Sequence, residues 1–241
     1  MTTTTTLLAA ATPPAPRPDR TRKLLLCGIV AGPLFVLTFL IDGATREGYD
    51  PLRHPVSSLA LGEHGWTQTV NFLVCGLLTL AFAIGVRRAV RQGRAATWGP
   101  LLIGVWAVGL LVAGAFTTDP VSGYPAGTPD APTAYTTSGA LHDGAALVAF
   151  PALIVAFFVF TRRFAGQRRR GWAIYSALTG LTFLAGFILA SAGFSQTAGL
   201  VDLAGLYQRI TIVIGLLWLT LLAVHLRSHL SSTAARGSAR R

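Results

Sequence analysis

Two histidines and one aspartate in the polar stretches of this chain carry side chains that could do chemistry. His54 and His142 supply imidazoles and Asp119 a carboxylate, a combination that suits zinc with an open position for an activated water. The same three residues could instead form a base with its orienting carboxylate. No closely spaced ligand motif such as HExxH occurs, and His142 could equally be a hydrogen-bonding residue that starts a helix. Zinc is therefore one hypothesis beside a metal-free site.

Two serines follow His54 closely. Ser57 or Ser58 could be a nucleophile with the nearby histidine as its base. Serine more often caps a helix or stabilises a turn. Because no GxSxG elbow is present, capping is the leading interpretation and catalysis the alternative.

Asp143 and Arg209 are expected about one turn inside two different apolar segments. A charge at that depth is costly unless it faces other helices and is paired, so we expect the two to approach each other, or Arg209 to bind Asp119. The pair could be a purely structural clamp, or Arg209 could hold a phosphate or carboxylate headgroup. Tyr124 and Gln208 are further binding candidates. The catalytic candidates are His54, Ser57, Ser58, Asp119, His142 and Asp143.

A second pair of histidines stands apart from these candidates. His225 and His229 are four residues apart and would share one face of a helix, as a metal-binding pair does. They belong to the opposite end of the last apolar block, a membrane thickness away from His142. We therefore interpret them as interfacial residues.

Six apolar blocks must position the candidate residues. Each block has close to the ~20 residues that an α-helix needs to cross a ~30 Å hydrocarbon core. The sequence thus predicts an all-α fold, an integral membrane six-helix bundle. The blocks cover roughly 24–41, 67–86, 98–117, 139–160, 172–193 and 206–226.

The charges predict the orientation of the bundle. All Lys and Arg residues except Arg46, Arg53 and Arg209 lie in the N-terminal tail, the second and fourth connections between the blocks, and the C-terminal tail. All acidic residues except Asp19 lie on the other side, with those three arginines. The positive-inside rule then places both termini in the cytoplasm. We expect a disordered cytoplasmic tail at 1–22, a transmembrane domain at 23–228 and a basic cytoplasmic tail at 229–241.

The composition limits the partners and the location. The net charge of +11 does not indicate nucleic acid, because the basic residues flank helix ends, where they set orientation and attract anionic lipid headgroups. Besides the lipid bilayer, no protein partner can be named. The abundance of Ala, Gly and Arg over Lys favours a bacterial source, and hence a bacterial plasma membrane protein. No small-residue cleavage site ends the first block, so it is expected to stay as an anchor.

Several short motifs resemble the domain of unknown function 998 (DUF998) family of bacterial and archaeal multi-pass membrane proteins. They are Ser57-Ser58-Leu59 with Gly62, Asn71-Phe72, Asp119-Pro120, and His142 at a helix start. The resemblance covers roughly residues 24–226 and implies a multi-pass membrane fold with no established activity. A looser similarity to alkaline ceramidases is weakened by their seven helices and by the side on which His225 and His229 lie.

These patterns predict a multi-pass membrane protein with an outward-facing polar pocket. A lipid- or headgroup-directed hydrolase is the activity that the candidate residues would support. One alternative is a structural or accessory protein whose polar layer only clamps the bundle. Another is a small-molecule transporter, although the middle of every apolar block lacks ionisable groups.

Overall fold

Six long α-helices build the protein. The computed structural model describes residues 18–132 and 134–238, so most of the predicted tail at 1–22 and the last residues of the tail at 229–241 lie outside it. Short 3₁₀ helices at Val56–Ala60, Arg94–Ala96 and Val201–Leu203 precede α2, α3 and α6. The α-helices are α1 (Pro18–Thr45), α2 (Trp66–Ala89), α3 (Trp98–Ala115), α4 (Thr137–Gly166), α5 (Arg170–Phe194) and α6 (Ala204–Ser238).

All six helices are long and apolar enough to cross a membrane. The prediction of an all-α six-helix membrane bundle is therefore confirmed, and no strand occurs within the described residues. Most helices extend a few residues beyond the apolar blocks, because polar residues can continue a helix into the headgroup region. The first helix begins at Pro18, inside the segment that we expected to be disordered, and α6 continues to Ser238.

The helices form a closed ring in chain order. Each helix packs against its neighbours in sequence, and α6 closes the ring by packing against α1. The connections 46–65, 116–136 and 195–203 meet at one end, here called the acidic end, and the connections 90–97 and 167–169 at the other, called the basic end. This arrangement places α4 opposite α1, and α4 meets α6 through side chains across the interior, such as Phe157 against Trp218.

Small residues allow the helices of the ring to approach closely. A Cβ atom at Gly28 would meet the ring of Phe82 on α2, and one at Gly32 would lie 2.9 Å from the carbonyl oxygen of Leu216 on α6. The small-residue face of α1 is thus a packing surface. The two cysteines, Cys27 and Cys75, are free thiols.

Large aromatic side chains fill the half of the ring nearer the basic end. Phe157, Phe160, Phe183 and Trp218 are fully buried there, and the indole of Trp218 donates a hydrogen bond to Ser176 Oγ at 3.0 Å. The ring therefore has a solid core in this half, and an interior cavity lies nearer the acidic end.

Candidate functional site

The first connection is tied to two helices by a buried ion pair. Arg46 Nη2 lies 2.8 Å from Asp42 Oδ1, with side chains only 9% and 10% exposed. The guanidinium also donates hydrogen bonds to three carbonyl oxygens, from Nη1 to Leu61 and from Nη2 to Leu59 and His64. The second oxygen of Asp42 accepts a hydrogen bond from the Thr67 hydroxyl at 2.6 Å. Sequence reasoning did not single out this pair, although its i,i+4 spacing was a usable signal.

Arg209 forms its hydrogen bonds with the first connection and with its own helix, and not with a carboxylate. It is 8% exposed and donates hydrogen bonds to the carbonyl oxygens of His54 at 2.9 Å and Gly205 at 3.0 Å, and to the Tyr49 hydroxyl. The prediction that Arg209 approaches Asp143 or Asp119 is wrong. The physical reason is the order of the helices in the ring. α6, which carries Arg209, packs against α5 and α1, whereas Asp143 lies on α4 and Asp119 contacts the start of α4.

His54 has no ring nitrogen left for a ligand. Its Nδ1 accepts the backbone N–H of Asp50 at 2.9 Å, so Nε2 carries the proton and donates to the carbonyl oxygen of Ser122 at 3.1 Å. The ring packs between Tyr49 and Tyr124. Burial lowers the pKa of His54 and raises the pKa of Tyr49 to about 12. This cluster is uncharged and holds two connections together.

Asp119 caps the start of α4. Its two carboxylate oxygens accept hydrogen bonds from the backbone nitrogen of Thr136 at 2.9 Å and from the Thr136 hydroxyl at 2.7 Å. The same hydroxyl accepts the N–H of Gly139, which makes Thr136 the N-cap. A carboxylate here is favoured by the positive end of the helix dipole.

His142 is oriented by one hydrogen bond and keeps one nitrogen open. Its Nδ1 lies 2.9 Å from the carbonyl oxygen of Phe116 at the end of α3. Since a carbonyl only accepts, Nδ1 carries a proton, and in the neutral imidazole Nε2 then keeps its lone pair. The ring packs edge-on against Phe72, and within the described residues Nε2 makes no hydrogen bond.

A cavity of about 530 Å³ occupies the interior of the ring towards the acidic end. Its lining includes residues of all six helices and of the connections at that end. The polar lining residues are Ser57, Thr118, Asp119, Tyr135, His142, Asp143, Ser191, Ser195, Gln208 and Thr211. The aromatic lining residues are Phe35, Phe72, Trp106, Tyr135, Phe150, Phe187 and Phe194.

The cavity brings together only some of the predicted site residues. Ser57, Asp119, His142, Asp143 and Gln208 line it, whereas His54, Ser58, Tyr124 and Arg209 do not. Gln208 is partly occupied, because its Oε1 accepts the N–H of Val56 at 2.7 Å. Asp143 makes no hydrogen bond or ion pair within the part of the chain that the structure describes.

The two serines have different surroundings. Both lie within the 3₁₀ helix Val56–Ala60, whose N-cap is Pro55, and neither caps an α-helix. Ser58 is completely buried, and its hydroxyl makes no hydrogen bond to any residue that the structure describes. Only Ser57 reaches the cavity.

The residues predicted as zinc ligands do not fit a metal centre. No group of three or more His, Cys, Asp or Glu side chains in the described ranges is arranged to hold a metal ion. His54 is saturated by hydrogen bonds and does not line the cavity, and Asp119 is occupied by Thr136. What the cavity offers instead is one imidazole and one open carboxylate.

The second histidine pair lies at the basic end, as expected. Arg169 Nη1 lies 2.7 Å from His225 Nε2 and 2.6 Å from His229 Nε2. The start of α5 is thereby joined to α6. Trp172 and Phe164 pack against the ring of His225.

The aromatic lining of the cavity was not predicted. Trp106, Phe150 and Phe187 lie inside continuous apolar blocks, where an apolar side chain can face either the lipid or the interior of the bundle. Their sequence carries no periodic signal that separates the two. Only the ring closure shows which of them face the interior.

Comparison with known proteins places the chain in one family. No curated protein and no solved structure matches it significantly. Residues 29–225 match the family described as "Protein of unknown function (DUF998)", which covers all six membrane helices in whole or in large part. The chain therefore belongs to the DUF998 family of multi-pass membrane proteins.

Proposed function

We propose that the cavity at the acidic end binds an amphipathic molecule of the membrane. The observation that carries the proposal is the composition of its wall, with His142 and Asp143 near the start of α4 and aromatic side chains deeper in the helix bundle. Trp106 lies ten residues along α3 from Phe116, or about 15 Å below the level of His142 at 1.5 Å per residue. A polar head and an apolar tail match this gradient.

The size and the access of the cavity support this proposal. Its volume of about 530 Å³ lies in the range of about 300–1,000 Å³ typical of small-molecule sites. Leu147 lines the cavity and is 66% exposed on α4. Such a residue belongs to both the cavity wall and the outer surface, so a ligand dissolved in the bilayer could enter beside it.

The test is to fill the cavity and analyse bound lipids. Ala146 lines the cavity. We expect an amphipathic molecule to co-purify with the wild-type protein and to be detected by native mass spectrometry, and Ala146→Trp should abolish its binding. Val148→Trp is the matched control, because Val148 lies on the same helix, is 61% exposed and does not line this cavity. If the wild type carries no amphiphile, the polar layer serves to clamp the connections and the protein is a structural one.

Hydrolysis of an ester, in a bound molecule that carries one, is the second function that we propose, and the geometry of His142 favours it. His142 Nε2 would take a proton from water, the water oxygen would add to the acyl carbon, and the ester C–O bond would break as the alcohol takes the proton back. The Phe116 carbonyl supports this role by fixing the tautomer. His142→Asn keeps an N–H donor for that carbonyl and should abolish hydrolysis while ligand binding persists. Equal hydrolysis by this variant would exclude His142 as the base.

The orientation that we propose has the acidic end outside the cell and both termini in the cytoplasm of a bacterium. The basic end would then contact anionic headgroups of the inner leaflet through residues such as Arg87 and Arg91. In a variant lacking Cys27 and Cys75, a cysteine replacing the exposed Glu63 should react with an impermeant maleimide on whole cells. A cysteine replacing Arg94 should react only after lysis, and the reverse pattern would overturn the orientation.

A further inference from the structure

The cavity is acidic although the chain is strongly basic. No Lys or Arg is among its lining residues, whereas the whole chain carries 20 such residues and a net charge of +11. Its ionisable lining consists of Asp119, His142, Asp143 and Tyr135. The described lining therefore contains carboxylates but no fixed positive charge.

Asp143 is the carboxylate of this cavity that has no partner among the described residues. Asp119 already accepts two hydrogen bonds from Thr136 at the start of α4. Asp143 lies in the second turn of the same helix, inside a membrane-spanning segment, and has no hydrogen-bond or ion-pair partner in the described residues. An ionisable side chain inside a membrane helix normally pairs with another group. The basic side chains at the acidic end cannot serve, because Arg46, Arg53 and Arg209 are bound elsewhere.

The aromatic wall suits the apolar chain of an amphipathic ligand. Phe150 and Phe187 stack with ring centroids 4.8 Å apart, and Phe150 meets Trp106 edge-on at 5.1 Å. Phe150 lies seven residues along α4 from Asp143, or about 10 Å deeper at 1.5 Å per residue. At the polar end, an anionic headgroup would meet the imidazole of His142, the amide of Gln208, hydroxyls and carboxylates, but no fixed positive charge among the described lining residues.

We propose that the molecule bound in this cavity is a lipophilic ammonium, an apolar chain with one positively charged amine head that pairs with Asp143. This inference rests on the proposed binding function and names the class of ligand. A zwitterionic phospholipid carries the same ammonium group, but its phosphate would meet no cation among the lining residues. The free amphiphilic amine is therefore the better match.

The experiment compares three decyl probes of equal chain length and one phospholipid in protein-containing and empty nanodiscs. Equilibrium binding of decyltrimethylammonium, decanol, decyl sulfate and a short-chain phosphatidylcholine would be measured for the wild type, Asp143→Asn and Glu63→Gln. Glu63 is an exposed acid at the same end that does not line the cavity, so its variant controls for a general loss of negative charge.

The proposal expects the ammonium to bind the wild type at least about tenfold more tightly than decanol, and Asp143→Asn to remove that preference. Glu63→Gln should keep it, and phosphatidylcholine should bind weakly. If the ammonium and decanol bind equally, or Asp143→Asn changes nothing, the ammonium assignment is overturned while the binding function stands. If no probe binds above the empty discs, the binding function itself fails.

Discussion

Asp119 accepts two hydrogen bonds from Thr136, and this contact joins the start of the 116–136 connection to the N-cap residue of α4. A carboxylate that the sequence offered for catalysis is thus used as a helix cap. Asp119→Ala should lower the free energy of unfolding by about 1–2 kcal/mol, the usual cost of losing a cap. Thermal unfolding of the protein in detergent would measure it, and an unchanged melting temperature would show that the cap contributes nothing.

Gly139 is required beneath that carboxylate. A Cβ atom at this position would collide with Asp119, so Gly139→Ala should destabilise the protein although alanine is the better helix former. Gly144→Ala on the same helix is the matched control, because nothing lies within 4 Å of its added Cβ. We expect Gly144→Ala to be neutral or slightly stabilising. Equal melting temperatures for the two variants would contradict the predicted collision.

Arg209 should be more sensitive to substitution than Arg53, the other arginine compared at the acidic end. Arg209→Met removes the nearer of the two donors, at 2.9 Å, from the buried carbonyl of His54, and we expect a loss of roughly 2–4 kcal/mol in the free energy of unfolding. Arg53→Ala is the comparison. Its ion pairs reach Asp130 and Asp202, whose side chains are 62% and 88% exposed, so its loss should cost about 1 kcal/mol or less. A larger effect for Arg53→Ala would reverse this ranking.

His54 should make stability depend on pH. Burial lowers its pKa in the folded protein below the ordinary value of 6.5. As pH falls below 6.5, the unfolded chain binds a proton first, so stability decreases until the folded pKa is also passed. His54→Asn keeps an acceptor for the Asp50 N–H and should flatten this decrease in unfolding measured between pH 7 and pH 5. An equally steep decrease in the variant would assign the effect to another group.

The polar layer at the acidic end divides into two parts with different uses. One part, which includes Arg46, His54 and Arg209, is saturated by hydrogen bonds to backbone carbonyls and holds the connections. The other part, which includes His142 and Asp143, lines the cavity and keeps open groups. Residue types alone could not separate the two, because a histidine or aspartate looks the same whether a backbone group satisfies it or not.

The six membrane helices and their order were determined by the sequence itself. A segment in hydrocarbon must satisfy its own backbone, so ~20 apolar residues between polar stretches specify a spanning helix without reference to the rest of the chain. The expectation that polar side chains such as Asp119 and His142 gather at one end follows from the same alternation.

The tertiary structure alone decided which of those side chains meet. Asp143 and Arg209 have the same depth and opposite charge, and any rule based on depth pairs them. Closure of α6 on α1 turns Arg209 towards His54, whereas Asp143 lines the cavity. Depth is a local property of each helix, but the neighbour of a helix depends on the packing of all six, which no single segment encodes.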